Sequence, residues 1–115
     1  MQKQVPFSIQ EEFIEFEKQY FAFFQNKHKC VGEILHHLVT SHGKCLRPTM
    51  LLLSAAMNGK INRKTYLIAT IIELLHLSSL VHDDVIDNAC LRRNKPTLNA
   101  IWNNKISVLT GDYLI

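Results

Sequence analysis

The sequence predicts an all-α chain, and three observations carry that expectation. Apolar residues recur at three- and four-residue spacing in successive segments, the pattern of helices with one buried face. No stretch shows the strict apolar–polar alternation of a half-buried strand. Residues that favour helix ends or breaks, among them Ser8, His42-Gly43, Asn58-Gly59 and Asn62, fall between the periodic segments.

The elements follow in order. Residues 1–7 read as a lead-in. Ser8-Ile9-Gln10-Glu11 has the form of a capping box, so a helix is expected to start there, with Ile9, Phe13, Phe16, Tyr20 and Phe23 on its apolar face. A second helical pattern runs from Val31 to about Ser41, with Ile34, Leu35, Leu38 and Val39 apolar. His36 and His37 are adjacent and point in different directions on a helix, which makes a poor metal pair; they read as surface or interface histidines. Gly43-Lys44 does not open a phosphate loop, because Leu38 and Cys45 stand where that loop needs a glycine and a Ser/Thr. Pro48 suits the first turn of the next helix, Pro48 to Met57, which leaves Lys44 and Arg47 at a helix start where backbone N–H groups also favour an anion. Asn62 is the expected cap of a long helix, Thr65 to Asp87. A loop spans Asn88 to Thr97, and Asn99 is expected to cap a last helix with Ile101, Trp102, Ile106, Val108 and Leu109 on its apolar side. The pattern looks unfinished at Gly111-Asp112-Tyr113-Leu114-Ile115.

Composition narrows the function classes. At 115 residues, 47% apolar and 20% charged, the chain fits one small folded domain. A net charge of +3 without any Lys/Arg block argues against a nucleic-acid partner. Cys30, Cys45 and Cys90 are odd in number and widely spaced, which suits reduced thiols in a cytoplasmic protein. The N-terminus lacks the apolar core of a signal peptide. The run from Tyr66 to Val81 is too short to span a bilayer and contains Glu73 and His76, so a buried core helix is expected in place of a transmembrane segment.

Chemistry concentrates at the end of the long helix. Asp83 and Asp87 lie one turn apart on one face, with Asp84 beside them. Carboxylates at a helix C-terminus oppose the macrodipole by roughly 0.3–1 kcal/mol each, and like charges at i,i+4 cost about a further 0.2–0.5 kcal/mol. The helix gains nothing from them, which points to a cation. Carboxylates without Cys or His partners suit a hard ion such as Mg²⁺, which takes its remaining ligands from water and substrate phosphates. Arg92 and Arg93 follow closely and suit bidentate phosphate binding. The whole reads as a metal–diphosphate site.

These stretches resemble the trans-polyprenyl diphosphate synthases, of the long-chain type that makes heptaprenyl or octaprenyl diphosphate. HDDVID and LRRNKPT are similar to that family's first aspartate-rich motif and its RRGxPT segment. Gly43-Lys44-Cys45-Leu46-Arg47-Pro48 is similar to its GKxxRP motif, and Val108-Leu109-Thr110-Gly111-Asp112-Tyr113 to its VLxGDxL segment. Asn94 departs from the family's usual glycine, although Asn also tolerates left-handed backbone angles. The resemblance implies an antiparallel helical bundle of the isoprenoid synthase type, with residues 1–115 forming the N-terminal portion of a single domain cut before its second aspartate-rich motif. It implies Mg²⁺ on Asp83, Asp87 and Asp84, with catalysis by these acids and Arg92. Arg92 would contact the allylic diphosphate, Arg93, Lys44, Arg47 and His76 the isopentenyl diphosphate, and Ser78 and Ser79 would line the cavity that sets product length. The implied reaction is addition of isopentenyl diphosphate to an allylic prenyl diphosphate, giving an all-trans polyprenyl diphosphate of the kind that forms quinone side chains. A cytoplasmic homodimer is expected of the full-length protein, and no condensation by the 115-residue chain alone.

Two other classes compete. His82-Asp83 spells the central dyad of an HD-type metal phosphohydrolase, for which His42 and Asp112 are nominal further ligands. That reading leaves Asp84, Asp87 and the arginines unexplained. The other is a non-catalytic helical module or partner subunit of a heteromeric synthase, which an intact DDxxD and paired arginines disfavour.

Overall fold

A computed structural model describes residues 7–25, 29–40, 45–92 and 94–114. A 3-10 turn at Phe7–Ile9 leads into α1 (Gln10–Phe23), followed by α2 (Lys29–Thr40), α3 (Leu46–Asn58) and α4 (Arg63–Ile86). A two-stranded antiparallel hairpin, β1 (Leu91–Arg92) and β2 (Lys95–Pro96), precedes the single turn α5 (Leu98–Ile101) and α6 (Asn104–Leu114). Among the described residues the architecture is all-α apart from that hairpin, as the periodicity predicts. Strands of two residues are too short to show alternation, so the segment reads as loop in the sequence.

Helix ends differ from expectation where side chains find other partners. The expected capping box at Ser8 does not form: Ile9 occupies the cap position of α1 and no side chain caps it, because the 3-10 turn has already begun to coil the chain. α3 begins two residues before Pro48, whose missing N–H falls in the first turn, where amides lack intrahelical acceptors. Asn62 caps α4 as expected. Its Oδ1 accepts from the Thr65 N–H at 3.2 Å, and the Thr65 hydroxyl accepts from the Asn62 N–H at 3.3 Å, a reciprocal box. The last helix is capped by Asn103, whose Oδ1 accepts the Ile106 N–H at 2.8 Å, and not by Asn99, which lies inside α5.

The chain divides into two compact units, Met1–Gln25 with Gly43–Glu73, and Asn26–His42 with Leu74–Ile115. In the first, α1 packs on α3. Ile9, Phe13, Phe16, Tyr20 and Phe24 are buried, and each such side chain contributes about 1.5–3 kcal/mol on leaving water. Phe24, and not the expected Phe23, continues the stripe: the chain turns at the helix end and sets the Phe24 ring edge-on to Tyr20 at 5.0 Å. Burial first, then the negative charges of Glu73 and Cys45, hold the Tyr20 phenol well above its ordinary value of 10.0, so this core residue stays neutral. In the second unit α2 meets α5 and α5 meets α6, while Leu35, Leu38, Leu74, Val81, Leu98 and Leu114 are buried.

At 24 residues α4 is long and apolar enough to cross a membrane by length and composition alone. Glu73 and Ser78 on it are buried, yet Leu67, Ile68, Ile71 and Leu75 are exposed, so among the described residues it is covered only in part and is not the buried core helix that its apolar run suggests.

Candidate active site

The site forms where α4 ends. Asn88 adopts left-handed angles (φ 52°) just past the helix, the Ala89 N–H reaches back to Asp84 O at 2.9 Å, and the Asn88 N–H to Val85 O at 3.2 Å. That is a Schellman stop with Asn in place of Gly, and it places Asp87 at the helix cap. Asp83 and Asp87 remain one turn apart and are both exposed; the Asp87 N–H donates to Asp83 O at 2.9 Å.

Asp84 does something else. A neighbour in sequence on a helix points about 100° away, and Asp84 turns inward, 7% exposed. Arg92 grips it from β1: Nη2 donates to Oδ1 at 2.6 Å and Nε to Oδ2 at 3.1 Å. The hydrogen bond with Asp84 raises the Arg92 pKa, burial opposes it, and the charges of Asp84, Asp83 and Asp87 all reinforce it. The three acids and the arginine thus share one electrostatic field, although the acids do not form one ligand set. Among the described residues no three His, Cys, Asp or Glu side chains gather to hold a metal.

Other predicted residues fall as follows. His76 is half-buried on α4, and Ser79, exposed, donates to its backbone oxygen at 2.7 Å. Ser78 is 1% exposed and donates to Gly111 O on α6 at 2.7 Å. Arg47 is exposed in the first turn of α3 and belongs to the other unit. Lys44, Arg93 and His42 lie outside the described residues. Asn94 has φ 64°, so the residue that departs from glycine does adopt the left-handed turn conformation.

Several contributors escape sequence reasoning. Asn99 Nδ2 donates to Ala89 O at 2.9 Å and to Asp84 O at 3.4 Å, and the Thr97 hydroxyl to Ala89 O at 2.7 Å, so the loop is fastened to the helix end. His82 Nε2 lies 3.2 Å from Val108 O and 3.4 Å from Asp112 Oδ1 on α6. A carbonyl only accepts, so the bond to Val108 O takes the tautomer with the proton on Nε2. Gly111 makes room for it: a Cβ at that position would fall on the imidazole. A glycine inside a helical pattern was the one sequence signal available for this contact.

Asp83 and Asp87 suit a hard divalent ion. They are oxygen donors one turn apart and open to solvent, which supplies part of a coordination shell and leaves the rest to water and phosphate. Arg92, bonded to Asp84, lies within their field.

The sequence profile of the family described as polyprenyl synthetase matches residues 28–115. The chain is 50% identical over 86 residues to an all-trans-nonaprenyl-diphosphate synthase (geranyl-diphosphate specific) of Rhodobacter capsulatus, covering 74% of this chain and 26% of that protein. It is 43% identical over 90 residues to heptaprenyl diphosphate synthase component 2 of Geobacillus stearothermophilus, covering 78% and 28%. Among solved structures it is similar to a decaprenyl diphosphate synthase from Rhodobacter capsulatus, with a TM-score of 0.87 and 32% identity over 99% of this chain and 35% of that one. A polyprenyl synthase from Caulobacter crescentus, complexed with calcium and isoprenyl diphosphate, gives a TM-score of 0.85 and 31% identity over 92% of this chain and 32% of that one. The chain spans about a quarter of the length of the curated relatives it matches.

Proposed function

The chain belongs to the polyprenyl synthetase family, and from that membership we propose that it forms the N-terminal portion of a prenyltransferase domain that joins isopentenyl diphosphate to an allylic diphosphate. The observation that carries this reading is the outward pair Asp83 and Asp87 at the end of α4, beside the Asp84–Arg92 fork.

Asp83 and Asp87 would hold Mg²⁺, which when bound draws charge from the allylic diphosphate and makes it a better leaving group. Arg92, anchored by Asp84, presents its remaining N–H donors to the departing anion. The allylic C–O bond breaks with its electron pair leaving on the diphosphate; the double bond of isopentenyl diphosphate forms the new C–C bond, and a proton is lost. Lys44, Arg47, His76 and Arg93 are the proposed holders of the isopentenyl diphosphate, and Ser79 with Ser78 the proposed determinants of product length. A cytoplasmic homodimer making an all-trans product is part of the same proposal.

The test uses the protein expressed from its complete coding sequence. Mg²⁺-dependent condensation of labelled isopentenyl diphosphate is expected, and Asp83→Ala should lower it at least about 100-fold, the loss expected on removing a group that stabilises developing charge. Orthophosphate release from a monoester, without condensation, would instead point to a phosphohydrolase.

A further inference from the structure

Arg92 sits in a hairpin with two residues per strand, which is not stable by itself in water. Its position has to be imposed from outside. Local contacts do part of this: the fork onto Asp84, and the Thr97 and Asn99 bonds to Ala89 O. The other strand is held from 59 residues away in sequence. His37, in the last turn of α2, donates from Nε2 to the Pro96 carbonyl at 2.8 Å. Its ring also meets Trp102, just past α5, edge-on at 5.7 Å between centroids. Pro96 pairs with Leu91 and Lys95 with Arg92, so fixing Pro96 fixes the strand next to the arginine.

We propose that His37 is a positioning residue for diphosphate binding, tying the arginine hairpin to α2. This deepens the prenyltransferase reading and rests on it for the role of Arg92. The two properties of His37 are separable. Gln at this position keeps an N–H donor without the ring, Phe keeps a ring against Trp102 without the donor, and Ala removes both.

The experiment makes His37→Gln, His37→Phe and His37→Ala in the protein expressed from its complete coding sequence and takes two measurements. The first is amide hydrogen exchange at Thr97, whose N–H donates to Cys90 O at 3.0 Å across the base of the hairpin, compared with Val81 inside α4. The second is the Kd for inorganic diphosphate with Mg²⁺, by calorimetry. The Ala and Phe variants should exchange Thr97 faster and bind diphosphate about 3- to 10-fold more weakly, the effect of one hydrogen bond, while Val81 is unchanged and Gln stays near wild type. Unchanged Thr97 exchange in His37→Ala overturns the proposal. So does acceleration of Thr97 and Val81 together, which marks a general loss of fold, or an unchanged diphosphate affinity with a loosened hairpin. If the wild-type protein binds no diphosphate, the prenyltransferase reading falls, and the exchange measurement alone decides whether His37 holds the hairpin.

Discussion

Arg92 holds the buried carboxylate of Asp84 with two of its nitrogens. Charge alone does not reproduce that fork, since an ammonium is a point donor and a guanidinium a planar one. Arg92→Lys is therefore expected to lower kcat/KM for condensation by about 10- to 100-fold, the scale of one charged hydrogen bond, with a smaller effect on thermal stability. Equal activity in the lysine variant would remove Arg92 from diphosphate binding. Gly111 poses the opposite problem, one of space. Because an added Cβ collides with the His82 ring, Gly111→Ala should destabilise the protein by about 1–3 kcal/mol, as overpacking does. Combining it with His82→Ala should restore part of that loss in denaturant melts. Additive costs in the double variant would contradict the collision.

At the scale of elements, α4 presents a row of exposed residues one turn apart, Leu75, Ser79, Asp83 and Asp87. Along that row the chemistry changes from apolar to small to acidic. Ser78, the other residue expected to set product length, is turned to α6 and bonded to Gly111 O. Of the two residues proposed to set product length, Ser79 is the one whose side chain is exposed, one turn before the acids. Small residues leave room for a growing isoprenoid, so the expected product is longer than farnesyl. Ser79→Phe places a ring on the row and should shift the product distribution to shorter chains, read by chromatography of the dephosphorylated alcohols. An unchanged distribution, or farnesyl as the wild-type end product, would defeat this assignment.

For the molecule as a whole, the large apolar side chains left in solvent are the prominent feature. Leu46 is 63% exposed, Met57 85% and Leu109 66%. Exposed apolar area of this kind marks surfaces that pack on something else. The chain also spans about a quarter of its curated relatives. The 115-residue chain by itself is accordingly expected to show no condensation and to sediment as larger species than a monomer. Turnover of labelled isopentenyl diphosphate by the purified chain without partner would refute that.

Periodicity sufficed for the all-α class and the buried stripe of α1, because spacing is a local property that burial must respect. The outward placement of Asp83 and Asp87 was legible for the same reason: residues at i and i+4 share one helix face. Asn62 was legible as a cap, since its bond reaches only three residues. The fold decided what depends on distant chain. Asp84 lies between two acids in sequence, yet helix geometry turns it inward to Arg92. Asn99 has the composition of a cap, yet it fastens the loop to the end of α4. His37 reads as a surface or interface residue, and only the fold brings Pro96 beside it. Spacing along the chain tells which side chains share a helix face, whereas hydrogen bonds between segments form only after packing has brought them within about 3 Å.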